Sequence, residues 1–198
     1  MGFHKTGTAS LAKALLILGY RVCGHLKETG DLNPSQQSRT DLLEMTKPLT
    51  ETYDAFADTP WFIFYRELLD YYPDARFILT TRTAESWYRS VVKHFGGYEK
   101  WNFHSWIYNG FGDPIGNRDR YIEIYNQHNA EVRKFYTGKN VEFLEMNPSE
   151  NFDWNTLCTF LKCKKPLGKF PRVDYELTSK RVRRKAIYIA KKIYYKNI

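Results

Sequence analysis

At 198 residues, with 42% hydrophobic and 17% aromatic side chains, the chain suits one domain with a sizeable core, which excludes disordered and low-complexity classes. Its formal charge of +8 is a property of the tail: eight Lys and Arg and no acid follow Glu176, and removing those eight from 30 leaves 22 basic residues against 22 acidic ones upstream. Cys23, Cys158 and Cys163 stand in no C-x-x-C spacing, pointing to a reducing, cytoplasmic setting, and neither a transmembrane-length apolar run nor a signal-peptide pattern occurs.

The chain opens on Met1-Gly2-Phe3-His4-Lys5-Thr6-Gly7-Thr8-Ala9-Ser10-Leu11. From Ser10 the spacing of Leu11, Ala14, Leu15 and Leu18 predicts a helix that Gly19 stops. A Gly/Thr/Ser-rich turn on a helix N-terminus is an anion site, because unpaired N–H groups and the positive end of the helix dipole converge there. Lys5 adds an ammonium, and Thr6, Thr8 and Ser10 add hydroxyls. Such a loop needs a strand before it. Only Met1 precedes Gly2, so the first strand of the sheet is expected to be missing from this sequence.

Tyr20 to Cys23 is predicted as a short strand, and Lys27 to Lys47 as a polar loop followed by a helix from about Asp41. Tyr53 to Asp58 reads as a strand closed by the turn Thr59-Pro60, and Trp61 to Tyr72 as a helix closed by Pro73-Asp74. Arg76 to Thr81 is the clearest buried strand, with Arg82 just past its end. A helix is expected from Thr83, its N-cap, to Phe95, ending at Gly96-Gly97. An aromatic connection follows to Arg118, then a long helix from Asp119 to Tyr136, a strand from Val141 to Met146 and a helix from Trp154 to Leu161. Strands alternating with helices imply an α/β fold with a mostly parallel sheet. The division is a body of residues 1–176 and a basic amphipathic helix over 177–198.

An ATPase-type loop reads G-x-x-x-x-G-K-[ST]. Gly2 and Gly7 have that separation, but Thr8 follows Gly7, and the lysine sits two residues earlier. The order Lys-Thr-Gly-Thr-x-Ser-Leu instead resembles the 5′-phosphosulfate loop of sulfotransferases. Ile78 to Ser90 is similar to that family's 3′-phosphate element, in which a strand-end arginine and a serine eight residues later share a phosphate; Arg82 and Ser90 have that separation. Less specific blocks, such as Tyr53 to Pro60 and Leu157 to Leu161, extend the resemblance over most of residues 2–174. Two departures stand out. Ser10 occupies the place where cytosolic members carry tryptophan, and no Arg-Lys-Gly triplet is present, Arg183-Arg184-Lys185 being a loose counterpart.

The resemblance implies a P-loop NTPase-like three-layer sandwich and transfer of a sulfuryl group from 3′-phosphoadenosine 5′-phosphosulfate (PAPS) to a hydroxyl or amine acceptor, glycans included. It assigns Lys5, Thr6, Gly7, Thr8, Ala9, Ser10, Arg82 and Ser90 to the donor, with Lys5 also catalytic. Asp58, ending its strand beside the loop, is the expected general base; Asp54, His4 and His25 are alternatives. No metal site is expected, since no His, Cys or carboxylate cluster has ligand spacing. The aromatic stretch His94 to Gly112 reads either as an acceptor wall or as a lid packed on the core. The tail suits an anionic membrane or acidic polymer, or simply a solvated face, without a nucleic-acid motif. The competing readings are a P-loop nucleotide kinase or NTPase, and a non-catalytic module binding nucleotides or anionic surfaces.

Overall fold

The computed structural model describes residues 1–26, 43–44, 46–97 and 102–173. The predicted basic helix over 177–198 and the start of the helix predicted from Asp41 lie outside the described residues.

The chain is α/β. Helix α1 (Thr8–Ile17) leads to β1 (Val22–Cys23), a single turn α2 (Leu49–Thr52) and β2 (Ala55–Phe56). A 3-10 segment (Trp61–Phe64) runs into α3 (Tyr65–Tyr71), followed by β3 (Phe77–Thr80), α4 (Ala84–Phe95) and α5 (Asn102–Ile107). The long α6 (Arg118–Tyr136), β4 (Phe143–Met146) and α7 (Trp154–Leu161) complete it. Strands pair in parallel as β1–β2 and β3–β4, with Val22 opposite Ala55 and Phe77 opposite Phe143.

The alternation of β3 explains the layers. Phe77 and Leu79 pack with Tyr65, Val132 and Tyr136 of α3 and α6. Ile78 faces the other way, onto Leu11 and Leu15 of α1 and Trp154, Leu157 and Leu161 of α7. Val22 and Ala55 pack against that same α1–α7 cluster, so both strand pairs share one helical layer. Met1 to Phe3 run alongside β3 in the same direction: the Met1 amine donates to the Ile78 carbonyl at 2.7 Å, and Gly2 lies against Thr80. Only glycine fits there, since a Cβ on Gly2 would sit 1.9 Å from Thr80 Oγ1.

Differences from the sequence reading are local. α1 begins at Thr8 rather than Ser10, because Gly7 at φ 104° turns the chain and serves as its N-cap. The segment from Trp61 starts as 3-10, and the aromatic connection contains α5. Thr83 caps α4 as expected, its hydroxyl accepting from the Ser86 N–H. At the junction of β3, β4 and α6, Arg133 donates twice to Glu145, which also accepts from the Thr81 hydroxyl. These contacts hold the Glu145 carboxyl below its ordinary range, chiefly through Arg133.

Candidate active site

The ends of β1, β2 and β3 and the N-terminus of α1 open onto one cleft of about 1100 Å³, just above the usual size range of small-molecule sites. Among its lining residues, Lys5, Lys13, Arg82, Lys93 and Arg172 oppose one carboxylate, Asp58. An anionic ligand is what such a lining accommodates. α1 carries no acid in its first turn and no side-chain cap, so its leading N–H groups, which lack intrahelical acceptors by construction, are not engaged by a carboxylate of that turn.

The loop is held from beneath. Thr6 is fully buried, and its hydroxyl bonds the Phe3 carbonyl and Thr80 Oγ1, both at 2.6 Å. The Thr6 hydroxyl therefore anchors the loop to β3 and does not reach into the cleft. Trp87 Nε1 donates to the His4 carbonyl at 3.0 Å, and Arg82 Nη1 donates to the Lys5 carbonyl at 3.2 Å. Lys5 itself has φ 67°, a conformation unusual for a residue with a Cβ, and its Nζ donates to His94 Nδ1 at 3.3 Å. Gly7 passes so close to the β4–α7 turn that a Cβ would lie 3.0 Å from Pro148 and 3.2 Å from the Phe152 ring.

Arg82 is a node. Its Nη2 donates to Ser86 Oγ at 2.8 Å, while its backbone N–H and carbonyl both bond the Tyr125 hydroxyl. Tyr125 in turn stacks on Trp87, with centroids 4.2 Å apart and planes within 9°. Ser90, one turn beyond Ser86 on α4, lines the cleft with Arg82. Lys93, a further three residues along, lines it too.

Asp58 lies against the first residue of α1, and like Lys5 it is in the left-handed region, at φ 72°. Its Oδ2 accepts from the Thr8 hydroxyl and its Oδ1 from the Thr59 N–H, both at 2.8 Å. Asp54, by contrast, is bound to Arg21 at the surface by paired hydrogen bonds of 2.7 and 3.0 Å that depress its carboxyl to about 2, and it does not line the cleft. His25 and His4 do line it. Burial, reinforced by His104, His94, Lys5 and His25, keeps His4 well below its ordinary pKa and so neutral.

Ala9 and Ser10 border the cleft, and Ser10 Oγ accepts from the Val173 N–H at 2.9 Å, which ties the Phe170–Val173 segment to the rim of the site. This brings in Arg172 and Phe170, which no local pattern marks. Lys13 and Lys93 were legible in principle, lying three residues from Ser10 and Ser90 on the same helices. Among the described residues of the aromatic stretch His94 to Gly112, His94 and Phe95 line the cleft, while His104 and Tyr108 are buried in the core. Among the described residues no cluster of three or more His, Cys, Asp or Glu could hold a metal ion, and no helix is long and apolar enough to cross a membrane.

Residues 1–177 match the sulfotransferase domain family. The chain is also 30% identical over 146 residues to Ava biosynthesis cluster protein M of Aspergillus versicolor, a match covering 61% of this chain and 54% of that protein. The similarity thus spans about half the length of that relative.

Proposed function

This chain belongs to the sulfotransferase domain family, and from that premise we propose that it moves a sulfuryl group from PAPS to a hydroxyl or amine acceptor, glycans among the acceptors to be tried. The observation that carries this reading is the meeting of Lys5, the α1 N-terminus, Arg82, Ser90 and Asp58 on one cleft rich in cations. The donor set fits a bisphosphorylated nucleotide: two separate groups of anion donors, with an aromatic pair, Phe152 and Phe170, on the same cleft wall.

PAPS supplies an activated sulfuryl group on a phosphate leaving group. Lys5 and the N–H groups of Gly7 to Ser10 bind the phosphosulfate end and hold charge that gathers on the phosphate. Arg82 and Ser90 bind the 3′-phosphate. Asp58 takes the proton from the acceptor as its oxygen or nitrogen bonds to sulfur and the sulfur–phosphate-oxygen bond breaks, releasing adenosine 3′,5′-bisphosphate. The Thr8 hydroxyl and Thr59 N–H orient that carboxylate. Residues 1–176 carry this chemistry in the cytoplasm, and the basic segment 177–198 adds attraction to anionic membranes or acidic polymers.

Calorimetric titration tests the reading. Adenosine 3′,5′-bisphosphate is expected to bind without magnesium and more tightly than ATP. Tighter, magnesium-dependent ATP binding would overturn it in favour of a kinase or NTPase.

A further inference from the structure

Lys5 is held at both ends by one structural unit, the turn after β3 and the helix α4. Arg82 in that turn donates to the Lys5 carbonyl at 3.2 Å, and His94 in the last turn of α4 takes the ammonium, its Nδ1 lying 3.3 Å from Nζ. These anchors stand 77 and 89 positions along the chain. On the helix the pattern is regular. Ser86, Ser90 and His94 follow one another at intervals of four, which sets them along one face of α4. Ser86 takes the Arg82 guanidinium at 2.8 Å, Ser90 lines the cleft, and His94 takes Lys5. A single helix face thus serves both groups of anion donors.

The chemistry of the pair fixes the proton on the ring. An ammonium has only N–H groups to offer, so Nδ1 of His94 presents its lone pair, and the imidazole is neutral with its proton on Nε2. The last turn of a helix is also its negative end, where cations are favoured, so α4 itself draws the ammonium toward His94. His4 adjoins Lys5 in sequence but serves the core: it is only 3% exposed, its ring stacks on His104, and its Nε2 lies 2.7 Å from the Tyr108 hydroxyl. His94 is half-buried and lines the cleft with Lys5.

Resting on the reading of the cleft as a sulfuryl-donor site, we propose that His94 is the positioning residue of Lys5, its neutral imidazole accepting from the ammonium and aiming it at the phosphosulfate end of the donor. An ammonium carries three N–H groups, so it can keep His94 while it binds an oxyanion. A lysine on its flexible four-carbon stem has many rotamers to lose, and stationing it in advance lowers the ordering cost of binding. In this role His94 touches no reacting atom and acts through Lys5 alone.

The test combines nitrogen-15 NMR of the histidine rings with calorimetric titration of AMP and adenosine 3′,5′-bisphosphate, both on the full chain. His94 is expected to carry its proton on Nε2, and Lys5→Met should move its Nδ1 signal. His94→Phe keeps a ring without an acceptor and should weaken both nucleotides alike, about 10-fold each, because they share the 5′-phosphate. General damage to α4 would instead reach Ser90, one turn away, and shrink the preference for the bisphosphate. His94→Asn, whose amide oxygen can replace Nδ1, should restore affinity to within about 3-fold. On a Lys5→Met background, His94→Phe should cost nothing more. A proton on Nδ1, an Nδ1 signal that ignores Lys5→Met, a shrunken preference, or a His94→Phe loss that persists without Lys5 overturns the proposal. Should His94→Phe fail to fold, the ring signals decide alone. Equal affinity for the two nucleotides in the unmodified chain, or binding of neither, sinks the donor reading instead, and the ring signals still decide for or against His94.

Discussion

The Arg82 guanidinium, 77 positions away in the chain, donates to the backbone carbonyl of Lys5 at 3.2 Å, so the side chain proposed for one phosphate also shapes the loop proposed for the other. Ser86 holds the opposite edge of the guanidinium at 2.8 Å. Replacing Arg82 should then do two things. Arg82→Ala is expected to weaken adenosine 3′,5′-bisphosphate by about 1.5 to 3 kcal/mol and erase most of its advantage over AMP, which lacks the 3′-phosphate. It should also loosen Lys5, so AMP affinity itself falls. An unchanged preference for the bisphosphate over AMP would place the 3′-phosphate elsewhere.

Asp58→Asn separates binding from chemistry. The amide retains an oxygen for Thr8 or Thr59 but cannot take a proton at neutral pH. Bisphosphate affinity should stay nearly constant while turnover with an authentic acceptor drops by roughly 10² to 10⁴-fold. Full turnover would direct attention to His25, the cleft-lining alternative whose ring is not bound up with Tyr108.

Gly7→Ala is expected to be more damaging than its one added carbon suggests. The position has φ 104°, and the new Cβ would press on Pro148 and Phe152 at 3.0 and 3.2 Å. The β4–α7 turn must shift or the loop must rise. Either change moves the α1 N–H groups, so the variant should lose bisphosphate affinity while the core, measured by far-ultraviolet circular dichroism, remains folded.

Acid should destabilise the protein earlier than its carboxylates alone would. Burial lowers His104 to about 3 and His128 to about 4, and holds His4 well below its ordinary value. In the unfolded chain all three titrate near 6.5. Their stabilising contribution is therefore complete above about pH 6.5 and is lost as pH falls toward the folded values, at up to ~1.4 kcal/mol per pH unit for each. Between pH 6.5 and 5 the depressed carboxyls of Asp54 and Glu145 remain ionised in both states, so the slope comes from the three histidines together with the Met1 amine, which burial lowers to about 5. Urea midpoints across that window should fall with pH, and His104→Gln should flatten the slope by about a quarter. A flat profile in the unmodified chain would contradict the buried neutral rings.

The elements legible in the sequence are those whose signal is local. β3 shows itself as an apolar run, α4 by the Thr83 cap and its amphipathic face, and Arg82 and Ser90 by a spacing that one strand end and one helix impose. β1 and β2 are two residues each, held by pairing with one another across more than thirty positions, so their extent is a tertiary fact. Lys5 and Asp58 are nameable by type, yet their positive φ values are not, because nothing in a lysine or aspartate announces such a backbone. Arg172 is the clearest omission: it reaches the cleft only because Val173 is tied to Ser10. The two readings of His94 to Gly112 divide for a similar reason, since composition cannot say which rings turn inward. Tyr108 and His104 do, and their polar atoms bond each other's neighbourhood rather than a substrate.

The bond from the Val173 N–H to Ser10 joins positions 163 residues apart. A cleft closed in this way has a birth order. The loop and α1 leave the ribosome before the strands and helices that will frame them, carrying their cations and orphan N–H groups into open water. The wall bearing Phe170 and Arg172 arrives among the last residues of the described chain. Ligand affinity should therefore emerge abruptly once that wall is made, rather than grow as each element is added.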